Sequence, residues 1–158
     1  MDGARFANAL LALNCSPAEM TWKAGVDAVT FGCTKNGLLE VEAVIFFNSK
    51  HAQEFELRRK RAGHLSSKNR YLAAQMLGYL DNNLWLELAK SSNAMAAKLS
   101  AFFESVPYVK LHHRPDANMI FADMPRKLHH HFFKAGAKYY LRNGSLNGNE
   151  DELITGTV

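Results

Sequence analysis

The sequence contains only two cysteines and four prolines in 158 residues. Two cysteines are too few for a disulfide framework in a chain this long, and no CxxC pair or cysteine–histidine spacing suited to zinc occurs. No apolar run approaches the length of about 18 residues that a membrane-spanning helix needs. The short apolar run near the start contains Asp2 and Asn8, which does not fit a secretory signal peptide. We therefore expect a soluble, cytoplasmic protein with no membrane partner.

The sequence also lacks repeats, low-complexity tracts and a strong charge of one sign. The chain has 19 lysine and arginine residues against 15 aspartate and glutamate residues, for a net charge of +4. It has no basic tail and no interleaving of basic and aromatic residues, so a nucleic-acid-binding module is the least favoured interpretation. The mild positive charge fits binding of small anionic molecules. The length suits one domain, with or without a small appendage.

Apolar periodicity predicts a mixture of helices and strands. Segments with apolar residues at helical spacing are expected to be helices, and short β-branched apolar runs are expected to be strands. The predicted helices are 4–13, 17–23, 50–62, 68–80, 84–104 and 126–135, and the predicted strands are 26–31, 42–47, 109–111, 118–122 and 138–141. Residues 154–158 are typical of the first part of another strand. The early alternation of helices with apolar strands indicates an α/β architecture with a sheet covered on both faces.

Capping residues mark several of these boundaries. Asp2 is expected to be the N-cap of the first helix, and Asn14 is expected to end it. Ser16, followed by Pro17 and by Glu19 three residues after the serine, is typical of a capping box. The long helix 84–104 is predicted to join the first region to a small α+β unit.

Asp2, Arg5 and Lys35 form the most informative combination in the sequence. Lys35 follows a predicted buried strand through a turn of small residues, where partial desolvation of its amine favours condensation with an aldehyde. Pyridoxal phosphate requires such a lysine, a carboxylate for its ring nitrogen and a cation for its oxygens. Taken singly, each residue has a simpler interpretation as a loop lysine, a helix cap or a surface arginine. Their joint occurrence favours the cofactor.

The segments around these residues resemble the low-specificity L-threonine aldolases, which belong to the β-eliminating lyase group of pyridoxal phosphate enzymes. The resemblance is carried by DGARFANA at 2–9, WKAGVD at 22–27 and FGCTKNG at 31–37, and it continues through 42–47, 67–70 and 118–121. It implies the aspartate aminotransferase-type fold, called fold type I. Residues 1–85 would then be the later part of the large cofactor-binding domain. Residues 86–158 would be part of the small α+β C-terminal domain, with the linking helix.

The resemblance also assigns roles to individual residues. Lys35 matches the catalytic lysine that forms a Schiff base with pyridoxal 5′-phosphate, and Asp2 matches the aspartate at the pyridinium nitrogen. Arg5 matches an arginine on the oxygen side of the cofactor. Thr34 and Thr30 are close enough to Lys35 in the sequence to contact the phosphate. No metal is implied.

The implied reaction is cleavage of L-threonine, or another small β-hydroxy-α-amino acid, to glycine and an aldehyde by a homotetramer. A pyridoxal phosphate lyase that catalyses β-elimination is an alternative, and so is a truncated, inactive paralogue that persists as an interaction remnant. The family's phosphate-binding loop, its ring-stacking histidine and its substrate-binding arginine are expected outside residues 1–158. We therefore expect a piece of a longer enzyme that is inactive alone. Cys33 stands where the family usually has glycine, and it is expected to crowd the loop and to be open to oxidation.

The remaining conspicuous residues are interpreted more simply. The basic run 58–61 is typical of a solvated helix face. His129, His130 and His131 suggest a metal site at first sight, but consecutive residues on a helix point in different directions and cannot chelate one ion together. We therefore expect no metal there, and we expect His64, His112 and His113 to be solvated or packed.

Overall fold

Two separate β-sheets organise the chain, one in each half. The structure, a computed structural model, describes residues 1–158. The chain divides into a first unit, Met1–Ser91, and a second unit, Ser92–Val158. This division falls inside the long helix Leu84–Glu104, which therefore contributes to both units. The predicted domain boundary at residue 85 stays a prediction.

Seven strands and six α-helices make up the two units. The strands are β1 Asp2–Gly3, β2 Ala28–Gly32, β3 Glu42–Phe46, β4 Lys110–Leu111, β5 Phe121–Pro125, β6 Tyr140–Leu141 and β7 Leu153–Thr157. The helices are α1 Phe6–Leu13, α2 Pro17–Met20, α3 Phe55–Arg61, α4 Arg70–Leu80, α5 Leu84–Glu104 and α6 Arg126–Lys134. Short 3₁₀ turns occupy Trp22–Ala24, Thr34–Asn36, Ser49–Ala52 and Asp81–Asn83. None of the helices combines the length and the apolar character that crossing a membrane requires.

The first unit contains a three-stranded sheet in the order β1-β2-β3. Strand β1 runs parallel to β2, and β3 runs antiparallel to it. Val29 and Phe31 of β2 point into a core that also contains residues of α1 and α4. The opposite face, with Thr30 and its neighbour Val44, is exposed. The expectation that both faces of this sheet are covered is therefore wrong for these residues, because only the face that carries Val29 and Phe31 meets helices.

The second unit contains a four-stranded antiparallel sheet in the order β4-β5-β7-β6. Ala122 and Met124 of β5 point into a core that includes Phe103 of α5. Leu128 and Phe132 of α6 pack against the same core. This unit combines helices with an antiparallel sheet, although the predicted strand 118–122 lies three residues later, at Phe121–Pro125, and the predicted domain arrangement stays a prediction.

The first helix begins later than predicted, because the residues before it form a strand. Asp2 pairs with Thr30 across the sheet and is not an N-cap. The N-cap position is occupied by Arg5, whose side chain makes no capping hydrogen bond. At the other end the prediction is confirmed, since Asn14 closes the helix in the left-handed conformation with φ of 49°.

The predicted capping box is confirmed. The Ser16 hydroxyl accepts from the Glu19 N–H, and the Glu19 carboxylate accepts from the Ser16 N–H at 2.8 Å. The α-helix that follows ends at Met20, and a 3₁₀ turn continues to Ala24 before Gly25 closes it with φ of 85°. This helix is shorter than predicted. The predicted bounds of the long helix, 84–104, are the same as those in the structure.

Candidate functional site

The residues predicted to bind a cofactor lie in or shortly after the two parallel strands β1 and β2. In the parallel pair β1–β2, Asp2 lies opposite Thr30 and Gly3 lies opposite Phe31. Parallel strands end at the same edge of a sheet, so the segments that follow them start close together. The segment after β1 carries Arg5, and the segment after β2 carries Lys35. The topology thus brings all three predicted residues to one sheet edge.

Asp2 presents its carboxylate on the exposed face of the sheet. One carboxylate oxygen, Oδ1, accepts from the Ala4 N–H at 2.9 Å, which orients the group and leaves the other oxygen without a hydrogen bond. Thr30, the partner of Asp2 across the strands, accepts from the Gly3 N–H through its hydroxyl at 3.2 Å. Thr30 therefore holds β1 against β2. Its predicted phosphate contact stays untested.

Two glycines allow the backbones at this edge to approach closely. A Cβ atom at Gly3 would lie 2.3 Å from the Thr30 carbonyl oxygen, and one at Gly32 would lie 2.6 Å from the Ala4 Cα atom. Distances of this kind do not occur between real side chains and backbone, so any larger residue would push the strands apart. The spacing between Asp2 and the segment that carries Lys35 depends on these two glycines.

Arg5 is half-buried at the start of α1, and its Nε atom is buried without a hydrogen-bond partner. Buried donors are almost always paired in folded proteins, so an unpaired one requires an explanation. A guanidinium group that lacks an acceptor within the protein is well suited to an anionic ligand. Arg5 is therefore the member of the site whose own structure most clearly points to a missing partner.

Lys35 lies in the 3₁₀ turn Thr34–Asn36, directly after β2. Its side chain is exposed and makes neither an ion pair nor a hydrogen bond. The adjacent Thr34 is also exposed, and its N–H donates to Glu42 Oε1 at 3.2 Å. The turn thus presents an amine and a hydroxyl that form no hydrogen bond or ion pair within the protein.

Cys33 is fully buried at 0% exposure, beside the exposed pair Thr34 and Lys35. Its Sγ atom lies 3.6 Å from the Phe31 carbonyl oxygen and 3.8 Å from Met76 Sδ. Burial, together with the negative charge of Glu42, raises the pKa of the Cys33 thiol to about 11. A protonated, inaccessible thiol reacts poorly, which argues against the expected oxidation. The φ angle of −114° suits any residue, so this position does not require glycine.

Asn36 was not predicted to be a site residue, yet its side chain is buried and its amide nitrogen donates two hydrogen bonds. Nδ2 donates to the Tyr79 hydroxyl at 2.5 Å and to the Trp85 carbonyl oxygen at 2.8 Å. Burial raises the pKa of Tyr79, although the hydrogen bond from Asn36 acts against that increase. The two partners lie 43 and 49 residues further along the chain. No local pattern in the sequence could have identified them.

The histidines of α6 face different surroundings. His129 is buried, with Nδ1 at 2.8 Å from the Tyr139 hydroxyl and Nε2 at 2.9 Å from the Ile154 carbonyl oxygen. The next residue, His130, is exposed and lies 2.9 Å from the Leu146 carbonyl oxygen. Residues 1–158 contain no group of three or more histidine, cysteine, aspartate or glutamate residues placed to hold a metal ion.

The basic run on α3 follows the predicted solvated pattern only in part. Arg58 forms an exposed ion pair with Glu54 at 2.7 Å, and Lys60 and Arg61 are exposed as well. Arg59 is half-buried, and its Nε atom has no partner.

Comparison with known proteins identifies relatives for most of the chain. Residues 1–126 match the sequence profile of the family described as Beta-eliminating lyase. The chain is 43% identical over 145 residues to a low specificity L-threonine aldolase from a Pseudomonas species, and 48% identical over 124 residues to the Pseudomonas aeruginosa protein of the same name. These matches cover 92% and 78% of the chain, but only 42% and 36% of the two relatives.

A solved structure of a Leishmania major threonine aldolase has the same fold over nearly the whole chain. The superposition has a TM-score of 0.85 at 25% sequence identity, and it covers 99% of this chain and 44% of the other. The resemblance predicted from the sequence is thereby confirmed. The chain spans less than half the length of each of these three relatives.

Proposed function

The chain belongs to the β-eliminating lyase family, and from this premise we propose that it carries the cofactor lysine of a pyridoxal-phosphate-dependent aldolase. The proposed reaction cleaves L-threonine and related β-hydroxy-α-amino acids to glycine and an aldehyde. The observation that supports it most directly is the parallel pair β1–β2, whose ends carry Asp2, Arg5 and Lys35, with Arg5 Nε buried without an acceptor and the Lys35 amine unpaired. The identity of 43% to 48% with L-threonine aldolases supports the choice of substrate class.

The residues at this edge fit pyridoxal phosphate by their chemistry. Lys35 would bind the cofactor covalently through its free amine, and Asp2 would hold a proton on the ring nitrogen through its available oxygen. Arg5 would donate to a ring oxygen, which would give its buried Nε or its neighbouring guanidinium nitrogens an acceptor. The exposed hydroxyl of Thr34 would contribute to the phosphate contacts. A carboxylate with one open oxygen, a guanidinium group with an unpaired Nε and an unpaired amine are the set that this cofactor requires.

The protein's own groups then act by binding and orientation. When bound, pyridoxal phosphate supplies an electron sink for the electron pair released at the substrate Cα atom. Asp2 would keep a proton at the ring nitrogen, because a carboxylate beside that nitrogen favours its charged form. In the overall reaction the Cα–Cβ bond breaks, the β-hydroxyl gives up its proton to become the carbonyl of the aldehyde, and Cα takes a proton to give glycine.

The proposal extends to the rest of the molecule. Residues 1–85 would form part of a large cofactor-binding domain of fold type I, and residues 86–158 part of its small C-terminal domain. The active form would be a cytoplasmic homotetramer that acts on a small amino-acid substrate. Neither nucleic acid nor a membrane would take part.

β-Elimination is the second candidate, and the description of the matched family favours it. Such a lyase would use Asp2 and Lys35 in the same positions. It would release ammonia and a keto acid, whereas an aldolase releases an aldehyde and glycine. Product analysis with L-threonine and with L-serine therefore separates the two reactions.

The proposal is tested with the native full-length protein and added pyridoxal phosphate. We expect an absorbance band of the bound cofactor in the near-visible range and release of acetaldehyde from L-threonine. Lys35→Ala should abolish both the band and the activity, because no other amine occupies this turn. Lys90→Ala, which removes an exposed lysine of α5, is the matched control and should change neither. A Lys35→Ala protein that keeps the band and the activity would refute the assignment.

A further inference from the structure

The turn that carries Lys35 is anchored in the core of the first unit at both of its ends. Cys33 is 0% exposed and Asn36 is 8% exposed, whereas Thr34 and Lys35 between them are exposed. A three-residue 3₁₀ turn has few and poorly aligned internal hydrogen bonds, so its position depends on what holds its ends. The direction of the Lys35 side chain from the sheet edge is therefore set by the partners of Cys33 and Asn36.

Asn36 is the stronger of these two anchors. Its amide nitrogen has two hydrogens, and both are used, one by the Tyr79 hydroxyl at 2.5 Å and one by the Trp85 carbonyl oxygen at 2.8 Å. The carbonyl oxygen can only accept, which fixes the orientation of the amide. Cys33, by contrast, contacts its surroundings through a weakly bonding thiol.

The partners of Asn36 belong to the aromatic cluster beneath the sheet edge. Tyr79 of α4 is 1% exposed and lies 6.2 Å from Phe31 between ring centroids. Trp85 stacks on Phe6 at 6.5 Å and meets Phe31 edge-on at 5.7 Å. Phe6 directly follows Arg5, and Phe31 lies opposite Gly3 beside Asp2. The anchor of the Lys35 turn therefore belongs to the same ring cluster as Phe6, the residue after Arg5, and Phe31 of β2.

We propose that Asn36, held by Tyr79 and Trp85, is a positioning residue that fixes the backbone of Lys35 relative to Asp2 and Arg5. The inference rests on the proposed function, since it assumes that Lys35 condenses with an aldehyde cofactor. Condensation requires the amine in one place relative to groups on another strand, and a flexible four-carbon side chain alone does not provide that. The amide supplies this constraint from a distance, without touching the cofactor.

The main test is Tyr79→Phe in the native full-length protein. This change keeps the ring and removes the acceptor, so one hydrogen of the buried amide loses its partner. We expect about tenfold weaker pyridoxal phosphate binding and about tenfold slower trapping of the cofactor on Lys35 by borohydride, which is the size of effect that an unpaired buried donor produces. Peptide mapping locates the trapped cofactor. Without cofactor, the amide hydrogens of residues 34–38 should exchange faster with solvent.

The matched control is Tyr139→Phe, which also removes a tyrosine hydroxyl with one side-chain partner, here His129 in the second unit, from a half-buried position. Both variants are expected to lower the denaturation midpoint, but only Tyr79→Phe should weaken trapping at Lys35. Equal trapping rates in Tyr79→Phe, Tyr139→Phe and the unaltered protein would overturn the proposal. An equal decrease of the trapping rate in both variants would also overturn the proposal, because Asn36 would then contribute only to general stability.

A second variant, Asn36→Asp, keeps the shape of the side chain and turns its donor atom into an acceptor that faces the Trp85 carbonyl oxygen. It should trap the cofactor even more slowly than Tyr79→Phe, and if it does not fold, Tyr79→Phe decides the question. The proposed function fails in a different way. In that case the unaltered protein would trap no pyridoxal phosphate at Lys35, whatever residue occupies position 79.

Discussion

Arg126 in the second unit and Arg5 in the first unit differ in how the fold satisfies their guanidinium groups. In the second unit, the Arg126 side chain is 4% exposed and donates to the Ser145 carbonyl oxygen, to the Asn149 carbonyl oxygen and to Glu152. In the first unit, Arg5 buries its Nε atom and offers it to no acceptor. Arg126 is therefore explained by the segment 145–152 that it holds in place, whereas Arg5 is left available for the anionic ligand proposed above.

The aspartates show the same contrast. Asp123 accepts from the Thr155 hydroxyl at 2.6 Å and pairs with His112 at 2.8 Å. Burial alone would raise the pKa of Asp123, but the hydrogen bonds from Thr155 and His112 outweigh it and hold that pKa below its usual value. Asp2 has one backbone partner and an otherwise open carboxylate. A polar group whose hydrogen bonds are all made within the protein has a structural role. A polar group with unused hydrogen-bonding atoms at a sheet edge is a candidate for ligand binding.

The largest expected effect is the loss of Arg126. Arg126→Met removes the donors of two carbonyl oxygens, and we expect it to lower the free energy of unfolding by about 3 kcal/mol, as for other broken buried networks. Urea denaturation measures this. The control is Lys127→Met, which breaks an exposed ion pair with Asp151 and should leave the denaturation midpoint unchanged. If the two variants behave alike, the side chain of Arg126 is not a structural clamp.

Next in size is a change at the contact between β1 and β2. Gly3→Ala places a methyl group 2.3 Å from the Thr30 carbonyl oxygen, and we expect a loss of about 2 kcal/mol because the strands must separate. Gly78→Ala in α4 is the matched control, since a Cβ atom there meets nothing within 4 Å. Alanine at that helical position should stabilise the protein by up to about 1 kcal/mol. Opposite signs for the two substitutions, seen in thermal denaturation, would confirm the close approach.

The alkaline limit of stability should depend on Tyr139. Burial raises the pKa of Tyr139 from 10.0 to about 12 in the folded protein. In the unfolded chain this phenol has its ordinary pKa of 10.0. The contribution of Tyr139 to the free energy of unfolding is therefore complete below about pH 10 and is lost as the pH rises towards about 12. Denaturation midpoints measured across this range should fall more steeply for the unaltered protein than for Tyr139→Phe. Parallel curves would show that the phenol does not titrate differently on folding.

The smallest effect on stability is expected for the unpaired arginine. Arg5→Met removes a guanidinium group that no protein atom accepts from, so we expect a change within about 0.5 kcal/mol of zero, in contrast to Arg126→Met. Under the proposed function, pyridoxal phosphate affinity should nevertheless fall by about tenfold, because the proposed charge-assisted hydrogen bond from Arg5 would be lost. Denaturation and cofactor titration on the same variant separate the two effects. A large loss of stability with unchanged affinity would reverse the roles of the two arginines.

Local patterns in the sequence predicted the elements whose causes are local. The capping box at Ser16 and Glu19 and the bounds of α5 depend on residues within a few positions of each other, and both were predicted correctly. Asp2 was predicted as a helix cap because it precedes an apolar helical stripe. Its pairing with Thr30 across 28 residues of chain overrides that preference, and the helix therefore starts later.

The candidate site could be predicted in part, since Asp2, Arg5, Thr34 and Lys35 carry recognisable chemistry within short motifs. Their arrangement at one edge follows from the parallel pairing of β1 with β2, which no local pattern encodes. The role of Asn36 depends on two partners in other helices. Residues of this kind become visible only when the chain is folded.

The unequal surroundings of the two cysteines offer a practical opportunity. Cys33 is sealed beneath the lysine turn, whereas Cys15, just after α1, is partly accessible. Of these two thiols, a maleimide dye should therefore attach to Cys15 in preference to Cys33, since accessible thiols react and buried ones do not. A fluorophore at that position would report on α1, the helix that begins directly after Arg5, and would follow the arrival of a ligand in real time.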